Sequence, residues 1–198
     1  MKKIITYKTF NENNKCDVFI KQIKDNIKNN DYGSLYETLI RTIKNNCDIN
    51  QTHIFNNTLF YLFIRNLNDI NFNENIIKDI IDLFIYNGAI ETINVFDKTP
   101  MIELIDQKKY NLLEHIITKH KNYKIFSNLI YNKILTNRFN NSEKIKLLNI
   151  FRKSDFFDFY KKFIESYYFD LLPIDVQEQF PDIKMNLKKL KTTNKFNL

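Results

Sequence analysis

Three histidines (His53, His115, His120) and two cysteines (Cys16, Cys47) are the side chains here best suited to nucleophilic or metal chemistry. Their spacing supports neither. No Cys-x-x-Cys pair is present to seat zinc or a redox couple, and no His-Glu-x-x-His places two imidazoles on one helix face. A Cys–His couple would make a nucleophile and its base, but no spacing in the chain brings one together. His115 stands among Leu112, Leu113, Ile116 and Ile117 and reads as a packed or half-exposed histidine. With only two glycines, Gly33 and Gly88, a Gly-rich phosphate loop is excluded. The expectation is a non-enzyme with no catalytic residue, no metal and no cofactor.

The composition points the same way. The chain has 198 residues, enough for one domain or a short repeat array, and 43% of them are hydrophobic, enough for a real core. Two glycines and three prolines leave long stretches without breakers, which favours helices over a turn-rich β fold. Lys, Asn, Ile, Phe and Tyr dominate; these are the residues of A- and T-rich codons. The net charge of +7 is carried mostly by lysines spread along the chain, with four arginines only: Arg41, Arg65, Arg138 and Arg152. Base-edge reading leans on Arg, so this charge reads as solvated surface and nucleic acid is not the expected partner. The start, MKKIITYKTF, lacks the uninterrupted apolar core of a secretory signal, and no window is apolar enough to span a membrane. Two cysteines make no disulfide framework, so free thiols in a reducing compartment, the cytoplasm, are expected. Three Asn-x-Ser/Thr sequons, at Asn50, Asn56 and Asn140, read as chance matches in an Asn-rich chain.

Helical spacing of apolar residues sets out the elements. Cys16–Lys28 and a helix capped by Ser34 and running to Asn45 form a first pair, with Glu37 completing a capping box. Thr58 and Thr99, 41 positions apart, each open a short apolar helix. Ile76–Tyr86 and the Leu112–Ile117 stretch follow them as second helices. Gly88, just past Tyr86, suits a positive φ, Thr99 can cap the next helix, and Pro100 fits its first turn, where an N–H would be unpaired anyway. Beyond His120, Lys124–Thr136, Ser142–Lys153 (capped by Ser142) and an aromatic-rich Asp155–Tyr168 read as further helices, before a Lys-rich tail.

The middle of this layout resembles an ankyrin repeat array. Asn87-Gly88-Ala89, then Thr99-Pro100-Met101-Ile102, then Leu112-Leu113-Glu114-His115-Ile116-Ile117 follow the family's helix end, Thr-Pro-Leu-His and outer helix. Asn46-Cys47-Asp48-Ile49-Asn50 and Thr58-Leu59-Phe60-Tyr61 echo it. The period of 41 exceeds the family's roughly 33 residues, Gly is replaced at Asn46, and the motif's His is Tyr61 or Ile102. The resemblance implies an all-α fold: one degenerate ankyrin-like array over 1–198, with a capping pair in 1–45, two repeats in 46–120, a degenerate helical part in 121–180 and a basic tail in 181–198. It also implies protein–protein interaction through hairpin tips and inner helices. That maps to Phe55, Asn56, Phe96, Asp97 and Lys98 on tips, and Tyr61, Arg65, Glu103 and Gln107 on inner helices.

The segment from Leu171 to Phe180 resembles the start of an F-box, through Leu172, Pro173, Val176 and Phe180. Poxvirus ankyrin proteins end in such a truncated segment, the PRANC domain. With the A/T-rich palette, this implies a viral protein that binds a host protein, in immune evasion, in the host-cell cytoplasm. The alternative it implies is a substrate adaptor that recruits a cullin-type ubiquitin ligase. The plainer reading of the same residues is a Pro-initiated helix that caps the core; it would bury them against Phe156, Phe163 and Tyr167, whereas an adaptor needs them exposed.

Overall fold

A computed structural model describes residues 7–50, 54–69, 73–120, 123, 127–136, 138–153 and 168–185. The described residues form helices and turns with no strand, so the fold is all-α. The chain divides into two compact units, 1–109 and 110–198, so the boundary falls inside the second expected repeat. No helix of the described residues is long and apolar enough to cross a membrane.

The first unit contains α1 (Tyr7–Lys28), α2 (Tyr32–Lys44), α3 (Leu59–Arg65), α4 (Glu74–Tyr86) and α5 (Pro100–Asp106). Helix α3 lies between α1 and α5, while α4 packs on α2. Two helical layers result, with the core between them. Tyr32 of α2 meets Phe63 of α3 edge-on, and Phe84 of α4 lies 5.3 Å from Phe60 and 5.7 Å from Phe63, ring centroid to ring centroid. Ile23, Leu35, Leu39, Ile80, Leu104 and Ile105 fill the rest, all fully buried. Helices as short as α3 and α5 are not stable alone; this burial holds them.

Four helices of this unit end alike. Asn30, Asn46, Gly88 and Lys108 take a left-handed φ, between 52° and 85°. At each, the N–H of that residue bonds the carbonyl three back, and the next N–H reaches the carbonyl five back, as in Cys47 N to Thr42 O and Ala89 N to Phe84 O. This double bond pattern satisfies carbonyls that a helix end leaves orphaned. The missing glycine at position 46 is therefore no departure in backbone shape: Asn tolerates the left-handed region best after Gly.

Caps and cysteines correct the sequence reading. Asp31, not Ser34, caps α2, its carboxylate accepting from Ser34 N at 3.1 Å. A hydrogen bond from the Ser34 side chain, and then the one from its N–H, hold the Asp31 carboxyl below its ordinary pKa. The expected loop from Asn66 to Asn75 contains a 3₁₀ turn (Asn66–Asp69), and Asn73 caps α4. Cys16 and Cys47, expected as free thiols, are joined in a disulfide with Cα atoms 5.5 Å apart. The folding of α1 onto α2 brings together two residues 31 positions apart, which spacing alone does not show.

The second unit contains α6 (Tyr110–Lys119), α7 (Ser127–Leu135), α8 (Asn141–Lys153), a 3₁₀ turn (Tyr168–Leu171) and α9 (Ile174–Glu178), with a last helical turn at 181–185. Helix α8 packs on α6 and on α9. Asn140 caps α8 in place of Ser142, in a reciprocal pair with Glu143: Glu143 N donates to Asn140 Oδ1 at 2.9 Å and Asn140 N to Glu143 Oε2 at 3.1 Å. The aromatic helix expected at Asp155–Tyr168 and most of the basic tail lie outside the described residues.

Candidate binding surface on the first unit

Two similar stretches build this surface. Thr58 and Thr99 both sit fully buried ahead of α3 and α5, each accepting from the N–H three residues on, Tyr61 and Ile102, at 3.2 Å. Two residues before each threonine the chain turns left-handed, at Asn56 (φ 60°) and Asp97 (φ 54°), and Phe55 before Asn56 is left-handed too (φ 65°). The same order of turn, threonine cap and short helix thus occurs twice.

The two stretches are stitched together side by side. Val95 N donates to Phe55 O at 3.2 Å and Asn56 Nδ2 to Ile93 O at 2.8 Å. Asn94 Nδ2 donates to Asn57 Oδ1 at 2.9 Å in a buried amide pair, while Asn94 Oδ1 accepts from Phe96 N and Lys98 N, both at 2.9 Å. Further back, Asn50 donates to Gly88 O and accepts from Ile90 N. These bonds bring the Phe55 and Phe96 rings to 5.4 Å, tilted, with the two residues still 55% and 58% exposed. Val95 stands beside them in sequence, also exposed. The tips are therefore an aromatic pair on a hydrogen-bonded base, and the side chains are not tucked into the hairpin.

Behind the tips, α3 and α5 are cross-linked by polar side chains. Tyr61 OH donates to Glu103 Oε2 at 3.3 Å. Gln107 Nε2 lies 3.1 Å from the Ile64 and Arg65 carbonyls and from Glu103 Oε1. Lys98 pairs with Asp106. Burial, then the Glu103 charge, pushes the Tyr61 hydroxyl above its ordinary pKa. All nine expected contact residues thus lie on this unit. One is corrected in role: Tyr61 is only 3% exposed, so it joins α3 to α5 and offers no face to a partner. Glu103, Gln107 and Lys98 are partly covered, whereas Arg65, Phe55, Asn56, Phe96 and Asp97 are exposed. Sequence reading missed Asn50, Asn57 and Asn94 as the fasteners of the surface. In an Asn-rich chain each looks like an ordinary turn residue.

The F-box-like segment is arranged differently. Leu172, Val176 and Phe180 are buried and Pro173 is half-buried; the exposed apolar residues there are Leu171 and Ile174. Gln177 Nε2 donates to Leu172 O at 2.8 Å, and Arg152 of α8 stacks near Phe180 and pairs with Asp182 at 3.1 Å. The four residues named for a ligase adaptor therefore present no apolar patch, and three of them belong to the core of the second unit. Their expected neighbours Phe156, Phe163 and Tyr167 lie outside the described residues. Elsewhere in this unit His115 and His120 sit with ring centroids 6.1 Å apart. His53 falls outside the described residues.

No protein-family model, curated protein or solved structure matches this chain.

Proposed function

We propose that this chain is a non-catalytic protein–protein interaction module of degenerate ankyrin type, which engages a protein of the host cell through the Phe55–Phe96 tips, the exposed Arg65 at the end of α3 and the half-buried Glu103 and Gln107. The observation that carries this reading is the exposed aromatic pair. Two phenylalanines cost solvation where they stand, and Phe55 does so in a left-handed conformation that is strained for a bulky side chain by about 1 kcal/mol. Large rigid aromatics on a fixed base are what protein interfaces use as anchors. Arg65 and Asp97, both exposed, supply charged groups of both signs on the same unit. A viral source is part of the same proposal; it rests on the A/T-rich palette and the PRANC-like sequence of Leu171 to Phe180.

Affinity capture from a eukaryotic cell lysate tests it, with the intact chain and the Phe55→Ala/Phe96→Ala variant side by side. The expected result is a discrete protein held by the intact chain and lost by the variant, with each anchor contributing about 2 kcal/mol to binding and the melting temperature nearly unchanged. Equal capture by both, or unfolding of the variant, overturns it.

A further inference from the structure

The Cys16–Cys47 bond joins the middle of α1 to the turn that ends α2. Cys47 is buried and rigidly placed: it follows left-handed Asn46, and its N–H is held by the Thr42 carbonyl at 3.1 Å. Cys16 is half-buried. Within residues 15–28 of α1, the buried apolar side chains are Ile20, Ile23 and Ile27, while residues 15–19, around Cys16, are exposed or half-buried. This apolar stripe therefore secures the helix from Ile20 onward, and the disulfide is a separate, covalent hold at Cys16.

We propose that this bond is a redox-operated fastening of α1. Closed, it clamps the helix at Cys16 to the end of α2. Opened by cellular thiol, it frees the stretch around Cys16 while Ile20–Ile27 stay packed. The partial exposure of Cys16 and the burial of Cys47 set the course of opening. A glutathione thiolate attacks Cys16 Sγ, forming a mixed disulfide, and the electron pair of the broken bond leaves on Cys47 Sγ, which takes a proton. A second glutathione thiolate attacks the glutathione sulfur, releasing Cys16 as a thiol after protonation. The protein disulfide is reduced, and two glutathione thiols are oxidised to one glutathione disulfide. The fastening is independent of the tips and of what they bind.

The test uses the full chain in glutathione buffers of graded reduced-to-oxidised ratio. Free thiols are counted by alkylation and amide exchange is followed along α1. As the bond opens, amides of α1 ahead of Ile20 should exchange roughly tenfold faster or more, with α3 unaffected. The melting temperature should drop by about 5 °C or more, since the bond closes a 31-residue span of the unfolded chain. Cys16→Ser should reproduce the reduced state and ignore the buffer; because Cys16 is the more exposed partner, this variant keeps the buried core intact. Three results overturn the proposal: two alkylatable thiols in fully oxidised glutathione, a bond that survives fully reduced glutathione in the folded chain, or opening with no change in α1 exchange.

Discussion

Phe55 carries two demands that a single substitution can separate. Its ring is exposed beside Phe96, and its backbone is left-handed, a region that Asn enters more readily than Phe. Phe55→Asn should therefore leave stability unchanged or raise it by up to about 1 kcal/mol, while removing an anchor from the surface. Chemical denaturation paired with the capture assay reads both; a destabilised Phe55→Asn would mean that the ring serves the fold. Tyr110 offers a second residue-scale test. Its hydroxyl is buried, has no hydrogen-bond partner among the described residues, and is pushed up to about 12, first by burial and then by the Glu143 charge. A raised tyrosine pKa means that the folded chain holds the proton more tightly than the unfolded chain, whose tyrosines ionise near 10. Its contribution is complete below pH 10 and is lost as pH rises towards 12. Tyr110→Phe should shrink that alkaline loss, by at most about 2 kcal/mol, and leave pH 7 stability equal or slightly higher. A steeper alkaline loss in the variant would rule this account out.

At the scale of elements, the tip turns depend on one amide more than on any apolar contact. Asn94 accepts from Phe96 N and Lys98 N and donates to Asn57 Oδ1, so it shapes its own turn and ties it to the neighbouring one. Asn94→Ala removes all three bonds in a buried place and should cost about 2–3 kcal/mol by urea unfolding. The threonine caps are simpler. Thr99→Ala should cost about 1 kcal/mol, the usual value of a helix cap. If Asn94→Ala cost no more than Thr99→Ala, the stitching between the two turns would be cosmetic.

At the scale of the whole molecule, the end of the described chain is structural. Phe169, Leu172, Val176, Phe180 and Ile183 are all buried, and α9 packs on α8. Ending the chain at Tyr168 removes all five side chains. At about 1.5–3 kcal/mol each, their summed loss is comparable to the whole stability of a typical domain. The shortened chain should lose the cooperative melt of residues 110–168 and gain proteolytic sensitivity there. A shortened chain that stays folded and protease-resistant would show that the segment is an appendage, and would return it to the adaptor reading.

Much of the helical layout was legible without coordinates. The 3.6-residue spacing of Ile, Leu and Phe located the helices around Thr58, Ile76, Thr99 and Leu112, because burying one face leaves that period in any chain. Thr58, Thr99, Pro100 and Gly88 were legible too, since a cap, a first-turn proline and a left-handed glycine are local demands met by local residue types. Asp31 and Asn140, which displaced Ser34 and Ser142 as caps, show the limit of that logic: neighbouring polar residues compete, and a two- or three-residue shift of the cap decides between them. What only the tertiary structure decided involves pairs distant in sequence. Cys16 meets Cys47, Asn57 meets Asn94, and Phe55 meets Phe96 because helices pack in a given order. The same packing turned Tyr61 inward and buried Leu172, Val176 and Phe180. Whether an apolar side chain is anchor or core depends on what stands opposite it in space, and one-dimensional spacing carries no record of that.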